Sequence, residues 1–297
     1  MNAGAEVTRR ERTVGAVDYY LATAAWELWS EYEANVPSTA ETLARWWKER
    51  SPGRAVLVLD GLSLREAPWI LEAANDRGYK VHRAIPTGAE IPADTNPFAK
   101  ALGFAQRSAL DNNGAGGSHK LQGAHTDSVD VPWKETAELI TSASDWVIWH
   151  HWPDDRLHDL GSPGHGLAAL TNEATSQLSS DDFWELVHRL STGRRLIITS
   201  DHGYAASGQF PDTSDGKQVK HLRSRFKSGR WAKEPEEPSP WVPPIDLVLD
   251  TRHGRNAYVL GRRKWKSQGG YPTLTHGGLS VLEVLVPFIE ISRQSGG

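Results

Sequence analysis

The chain has 297 residues, 33 Lys and Arg against 37 Asp and Glu, a formal net charge of −4, and no cysteine. This length can bury the core of one large or two modest domains, and the nearly balanced charge gives no overall attraction to nucleic acid. The lack of cysteine excludes disulfides, thiolate-bound zinc and a cysteine nucleophile, so any metal must be bound by histidines and carboxylates.

Two further features bear on location and packing. The start, MNAGAEVTRRERTVGAVDYY, has no apolar signal core, and no apolar run approaches the ~18 residues of a membrane span. We therefore expect a cytoplasmic protein without a membrane partner. The 13 tryptophans mostly flank apolar runs, which indicates core packing rather than a platform for stacking bases.

The first predicted elements are helices. Apolar residues recur at every third or fourth position, at Leu21, Ala25, Leu28 and Tyr32. This spacing predicts helix within residues 16–50, and a capping box from Ser38 to Glu41 starts a second helix. We expect an N-terminal helical segment over residues 1–52.

From residue 53 onward, apolar strands alternate with helices. A fully apolar strand at 55–60 is followed by a helix at 64–76, the start of a parallel βαβ arrangement. Later strands are predicted at 79–84, 145–151 and 196–199, with a strand pair around 246–261. Later helices are predicted at 97–102, 133–142 and 179–192. A final helix–strand unit follows His276, and the alternation predicts an α/β fold.

Two stretches interrupt this pattern. Residues 105–132 are rich in Gly, Asn, Ser and Asp, and are predicted to be a flexible excursion rather than core. Between residues 205 and 244 the core pattern disappears, and a basic segment, KQVKHLRSRFKSGRWAK at 217–233, precedes a proline-rich spacer. We expect both stretches to be insertions.

One strand ends on two adjacent side chains of metal-ligand type. In LIITSDHGY, residues 196–204, an apolar run stops at Thr199 and Ser200 and is followed by Asp201, His202 and a glycine. Sites in open α/β sheets form beyond the carboxyl ends of strands, and glycine lets the backbone turn sharply there. An ordinary helix-capping Asp beside a surface His is the alternative.

Other predicted strands also end on candidate ligands. Asp60 closes the strand at 55–60, and His276 lies in a separate loop after the strand pair at 246–261. In HHWPDDRLHD, Asp154 and His158 are four residues apart, which places both side chains on one face of a helix. Asp155 is an alternative to Asp154. Together these elements predict a divalent metal site.

The order of these motifs resembles the PglZ domain, a branch of the alkaline phosphatase superfamily found in bacterial phage-defence systems of the BREX type. The resemblance rests on VLVLDGLS, a Pro-x-x-Thr loop, a D-x-x-x-H segment, ITSDHGY and HGGLSVLEVLVP, and spans about residues 55–291. It implies an alkaline-phosphatase-like core over residues 53–293, with a mostly parallel sheet sandwiched by helices. The sulfatase branch is excluded, because its C/S-x-P-x-R motif is lacking.

The resemblance also implies a two-metal phosphoryl-transfer site. Asp60, Asp201 and His202 would bind one ion, and Thr95 would be both a further ligand of that ion and the alkoxide nucleophile. Asp154, His158 and His276 would bind the second ion. Mixed His and carboxylate ligands suit Zn²⁺, with Mn²⁺ as the alternative. Two such ions would activate the attacking oxygen and stabilise the leaving oxygen of a phosphoester.

Two threonines compete for the role of nucleophile. Thr95 follows Pro92 with the family's Pro-x-x-Thr spacing, and is predicted to be the N-cap of a helix, where anions bind. Thr87 also follows a proline, but residues 88–90 do not start a convincing helix. We select Thr95, while an ordinary capping role for it remains open.

The predicted activity is hydrolysis of a phosphoester, as a phosphodiesterase, a nuclease-like enzyme or a phosphatase. Nucleotides or nucleic acid are possible substrates, and other phage-defence proteins are expected partners. The basic segment supplies candidate phosphate contacts and two aromatic rings for stacking. These residues are Lys220, Arg223, Arg225 and Lys227, with Phe226 and Trp231. The competing interpretation is a catalytically silent scaffold of a defence complex.

Overall fold

Helices and strands alternate along the chain in the computed structural model, which describes residues 3–49, 51–112, 117–161, 166–207, 210, 213–233, 237–267 and 273–293. The helices are α1 Ala3–Thr23, α2 Tyr32–Asn35, α3 Thr39–Trp47, α4 Ala67–Asp76, α5 Thr95–Leu102, α6 Trp133–Leu139, α7 Asp154–Leu160, α8 Gly166–Ser179, α9 Asp181–Ser191, α10 Gly216–Phe226 and α11 Val281–Val284. The strands are β1 Arg54–Leu59, β2 Tyr79–Gly88, β3 His125–Val129, β4 Asp145–His150, β5 Arg195–Thr199, β6 Ala205–Ala206, β7 Trp231–Lys233, β8 Asp246–Thr251, β9 Gly254–Val259, β10 Leu274–Thr275 and β11 Leu285–Arg293. Of the described helices, none is both long and apolar enough to cross a membrane.

A six-stranded sheet forms the centre of the fold, in the order β2-β11-β5-β1-β4-β3. Strand β1 pairs in parallel with β4 and β5, and β3 pairs in parallel with β4, whereas β11 runs antiparallel to β5 and β2. The carboxyl ends of β5, β1 and β4 therefore meet at one edge of the sheet. The predicted α/β fold with a mostly parallel sheet is confirmed.

Helices cover both faces of this sheet. Along β1, Ala55, Leu57 and Leu59 point into a cluster with α4, α6, α8 and α9, while Val56 and Val58 point into a second cluster with α3 and α5. All five side chains are fully buried. A strand buried on both faces reads as a continuous apolar run, as this one does.

The N-terminal helices are tied to the rest of the chain by buried ion pairs. Glu11 of α1 binds both Arg65 and Arg262, and Asp18 accepts a hydrogen bond from Arg262 at 2.5 Å. Asp18 also accepts the backbone N–H of Val281 at 2.6 Å. The division of the chain near residue 52 stays a prediction, and α1 packs against residues on the far side of it.

The segment 105–132 was expected to lie outside the core, and for much of the described part this is wrong. Strand β3 is an edge strand of the central sheet, and Leu110, Leu121 and Ala124 are buried in the core. The sequence hides the strand because it is short and polar (HTDSV), as an edge strand with one paired side can be. Residues 113–116 lie outside the described part of the chain.

A second, smaller unit arises from the other predicted insertion. Strands β7, β9 and β8 form an antiparallel three-stranded sheet, and α10 packs on it through a cluster that includes Leu222, Phe226 and Trp265. We call α10 with these three strands the cap. Trp231 of β7 contacts Asp94, so β7 lies beside the edge of the central sheet where the strands end.

The buried ion pairs of α1 lead to a stability prediction. We expect Arg262→Ala to lower the free energy of unfolding by about 3–5 kcal/mol, because it leaves Asp18 buried without its charged partner. Arg255→Ala is the control, since its pair with Asp250 is exposed (54% and 74%) and such pairs contribute at most about 1 kcal/mol. Urea unfolding measures both, and equal small losses would contradict the prediction.

Candidate metal centre

The candidate ligands lie where the central strands end. Asp60 directly follows β1, and Asp201 and His202 follow β5. Asp154 opens α7 after β4, and its backbone N–H donates to the carbonyl of Asp60 at 2.9 Å. His276 follows β10. The parallel register of the strands thus brings residues from distant parts of the sequence to one place.

Two glycines permit this close approach. Gly61 has φ +75°, a left-handed conformation that side chains rarely adopt, and its N–H donates to Asp201 Oδ1 at 3.0 Å. A Cβ on Gly203 would lie 2.2 Å from the carbonyl oxygen of Leu282. The glycine of SDHGY is therefore required by the neighbouring backbone.

Asp60, Asp201 and His202 form the first group of possible ligands. Each is fully buried, and one ligand atom from each lies within 4.8 Å of the others. His202 Nε2 is 3.4 Å from Asp60 Oδ1 and 3.5 Å from Asp201 Oδ2. The structure brings these three predicted ligands together.

Asp154, His202 and His276 form a second group at the same separation. His276 Nε2 is 3.6 Å from Asp154 Oδ1, and the rings of His202 and His276 stack with centroids 4.1 Å apart. His158 lies at the open side of this group, with its side chain 67% exposed and its Nε2 3.3 Å from Asp154 Oδ2. Asp155, the alternative to Asp154, is exposed.

The two histidines inside the groups have one ring nitrogen fixed. The Nδ1 of His202 donates to the carbonyl of Gly203 at 3.0 Å, and the Nδ1 of His276 donates to that of Ala93 at 3.2 Å. This leaves each Nε2 with a lone pair directed at the carboxylates, which is the orientation that a metal-binding histidine needs.

Three buried atoms at the centre of the groups have no hydrogen-bond partner among the described residues. They are Asp154 Oδ1, Asp201 Oδ2 and His202 Nε2. Burying such atoms without a partner costs free energy, and buried charges are normally paired or bound to a metal. Asp and His donors suit a divalent ion of the zinc or manganese type, so the residues fit a divalent metal.

The electrostatics of the first group reflect crowded buried charge. Burial and the neighbouring Asp60 carboxylate raise the pKa of Asp201 to about 7. Burial opposes a charged His202, but the carboxylates of Asp201, Asp60 and Asp154 raise the pKa of this histidine well above its usual value. Carboxylates thus surround the Nε2 side of His202, the position where a metal ion would lie.

Thr95 lies beside the first group, with its Oγ1 3.4 Å from Asp60 Oδ1. It is the first residue of α5 and not its N-cap; the N-cap is Asp94, whose side chain accepts the indole N–H of Trp231 at 2.9 Å instead of capping the helix. Thr87, the rival nucleophile, is buried, and its hydroxyl lies 2.7 Å from that of Thr39.

Arg107 is a residue of this site that the sequence analysis did not identify. Its guanidinium pairs with Asp60 Oδ2, which also accepts the indole N–H of Trp149 at 3.1 Å. Arg107 comes from a short 3-10 helix within the segment that was predicted to be an excursion. No local sequence motif predicts this contact, because only the folded chain brings Arg107 close to Asp60.

The basic segment is less free than predicted. Arg225 pairs with the buried carboxylate of Asp246 at 2.6 Å, and Arg223 donates to the carbonyl of Lys266 at 2.7 Å. Phe226 is buried against Trp265, so its predicted stacking role is wrong. Its apolar ring completes the contact between α10 and the cap sheet. The side chains of Lys220 and Lys227 are exposed.

His150, a further histidine at the end of β4, has both ring nitrogens engaged. Its Nε2 donates to the carbonyl of Val131 at 2.9 Å, and its Nδ1 accepts the N–H of Trp152 at 3.0 Å. Burial lowers the pKa of His150 to about 4, so the ring is neutral near pH 7. It is a packed structural residue.

Comparison with known proteins identifies the family. The model of the BREX system PglZ alkaline phosphatase-like domain matches residues 117–291, more than half of the chain, and the chain belongs to this family. The match covers Asp154, Asp201, His202 and His276, whereas Asp60 and Thr95 precede it. The predicted membership is confirmed.

Solved structures with some likeness include murine ectonucleotide pyrophosphatase/phosphodiesterase 5, at 14% identity and a TM-score of 0.47, over 82% of this chain and 88% of that one. An inactive variant of the same murine protein in complex with AMP has 13% identity and a TM-score of 0.45, over 81% and 88% of the two chains. Among curated proteins, none matches the chain. At this level of similarity the murine structures do not bear on the activity of this chain.

The two ligand groups predict the metal content of the protein. We expect two divalent ions per molecule, with one lost in His202→Ala, the other lost in His276→Ala, and both lost in the double variant. Elemental analysis of purified, Zn²⁺-equilibrated protein measures this. His82→Ala is the control, since His82 lies on β2 and contacts Ser292. Full occupancy in the double variant would reject the assignment.

Proposed function

We propose that the protein is a metal-dependent phosphoesterase that cleaves phosphodiesters with Thr95 as nucleophile, within a bacterial phage-defence system. One observation carries the proposal: the Thr95 hydroxyl lies 3.4 Å from Asp60, a carboxylate in a buried group of unpartnered ligand atoms. Membership in the PglZ alkaline phosphatase-like family supports the reaction class, and its BREX context supports the role in defence.

The ligand sets of the proposal follow from the single free nitrogen of His202. Because Nδ1 is bound to Gly203, His202 offers one lone pair, through Nε2, and can bind one ion. If it joins Asp60 and Asp201, the second ion needs another ligand beside Asp154 and His276. His158, 3.3 Å from Asp154, is the available histidine and closes that set from the solvent side.

The proposed chemistry proceeds in two steps. Bound divalent ions would lower the pKa of the attacking hydroxyl and neutralise charge on the phosphate. Thr95 loses its proton to solvent, its oxygen bonds to phosphorus, and the bond to the leaving alcohol breaks as that alcohol takes a proton from water. Water then hydrolyses the phosphothreonine ester and restores the hydroxyl.

Arg107 is proposed to stabilise the phosphoryl group. Its guanidinium and the Thr95 hydroxyl contact the same carboxylate, so a phosphate attacked by Thr95 would lie within reach of Arg107. A guanidinium matches the oxygens of a phosphate with two parallel hydrogen bonds. In the absence of metal the same guanidinium compensates Asp60, so it competes with a cation for this carboxylate.

Substitution of the nucleophile tests the reaction most simply. We expect Thr95→Ala to abolish hydrolysis of bis-p-nitrophenyl phosphate in Zn²⁺ or Mn²⁺, with metal content unchanged, because six other side chains bind the ions. Stability should change little, since Asp94 is the N-cap.

Thr87→Ala is the matched control and should stay active, because its hydroxyl is buried against Thr39. If Thr87→Ala is inactive and Thr95→Ala is active, the assignment of Thr95 as nucleophile is wrong, but the location of the site is unaffected. A wild type inactive on phosphoesters, with or without EDTA treatment, would favour a scaffold role.

Substitution of Arg107 should change both the turnover rate and the affinity for metal. We expect Arg107→Ala to lower kcat about 10²- to 10³-fold, as loss of a transition-state donor does. The same variant should bind Zn²⁺ more tightly in calorimetric titration, because Asp60 loses its competing cation.

Arg107→Lys should recover part of kcat, since it keeps the charge but not the planar pair of donors. Arg189→Ala is the control, because its pair with Glu185 is exposed on α9. Unchanged kcat and unchanged Zn²⁺ affinity in Arg107→Ala would contradict both roles.

A further inference from the structure

A cleft of about 370 Å³ opens beside the proposed nucleophile. Its walls include Asp94 and Asn96, the neighbours of Thr95, together with Lys100 of α5. The cap supplies the opposite wall through Trp231 and Lys233 of β7. Thr95 itself does not line the cleft, but the residues on either side of it do, and the volume is in the range of sites that take small ligands.

Trp231 is a fixed, half-buried ring at this cleft. Its indole N–H donates to Asp94 Oδ2 at 2.9 Å. The chain next to His276 packs on the same pyrrole part of the indole, because a Cβ on Gly277 would lie 2.7 Å from Trp231 Cδ1. A ring held at two points offers a flat apolar surface without losing side-chain freedom when a ligand binds.

Two lysines bring positive charge to the cleft, whose wall also contains the Asp94 carboxylate. Within the described ranges, Lys100 and Lys233 form no ion pair, and both side chains are exposed. The other basic side chains of the cleft are engaged, since Arg252 pairs with Glu41 at 2.8 Å and His253 with Glu90 at 2.9 Å. Among the described basic side chains of the cleft, these two ammonium groups are thus the ones able to meet an anion.

We propose that this cleft binds the leaving part of a single-stranded nucleic acid, with a base stacked on Trp231 and the following phosphates against Lys100 and Lys233. The inference rests on the proposed function, and it specifies its substrate class. A flat ring combined with spaced cations is the arrangement that binds single strands without reading their sequence.

A single strand fits this cleft better than a duplex does. In a duplex the bases are stacked inside and cannot reach a ring in the wall of a cleft, whereas a single strand exposes the face of each base. A small phosphomonoester would leave Trp231 and both lysines without contacts. The order of affinity expected is therefore single strand above duplex, and duplex above inorganic phosphate.

Fluorescence anisotropy with a short fluorescein-labelled single-stranded DNA tests this, in EDTA and again in Zn²⁺. We expect Lys100→Ala with Lys233→Ala to lower the slope of log affinity against log salt by about 1.4, at about 0.7 per phosphate contact. Trp231→Ala should weaken binding about five- to a hundredfold, and Trp231→Phe should restore much of it. Lys80→Glu is the control, because Lys80 lies at the opposite edge of the sheet.

The outcomes separate the inference from the proposed function. Loss of binding and of salt dependence in these variants supports the cleft whether or not the wild type hydrolyses a phosphoester. A wild type that hydrolyses bis-p-nitrophenyl phosphate but binds duplex as well as single strand would overturn the inference alone. Unchanged binding in all cleft variants would also overturn it.

Discussion

Crowded negative charge at one edge of the sheet is the constraint on which the site depends. Asp60 and Asp201 are both fully buried, side by side, with Asp154 next to them. Carboxylates in such surroundings cannot all remain ionised without positive charge nearby. Arg107 supplies part of that charge in the structure, and divalent ions are the groups that would supply the rest during the proposed reaction.

The surrounding structure keeps the ligands from moving apart. Arg65 donates to the carbonyl of Tyr204, directly after the SDHG turn, and binds Glu11 of α1. The hydroxyl of Tyr204 donates to Glu66 at 2.7 Å. The N-terminal helix is therefore part of the support of the candidate metal centre, and removal of a buried charge in it should affect the site as well as stability.

The sequence predicted the candidate ligands that follow apolar strands and missed the contacts that the folded chain creates. Asp60, Asp201 and His202 could be predicted from the sequence, because a buried strand is visible as an apolar run and functional sites often lie at the end of such a strand. Arg107 lies in a polar segment without periodicity. The basic segment marks Trp231 as a candidate stacking ring, but its hydrogen bond to Asp94 leaves no signal in the sequence. Arg107 contacts Asp60 and Trp231 contacts Asp94. Each pair is distant in the sequence, so no local pattern could predict these contacts.

The most direct test of this account is anomalous diffraction at the zinc edge from crystals of the Zn²⁺-loaded protein. We expect two anomalous peaks. One should lie about 2.0–2.2 Å from ligand atoms of Asp60, Asp201 and His202, and the other at the same distance from Asp154, His158 and His276. Well-ordered side chains in this cluster without an anomalous peak between them would contradict the account.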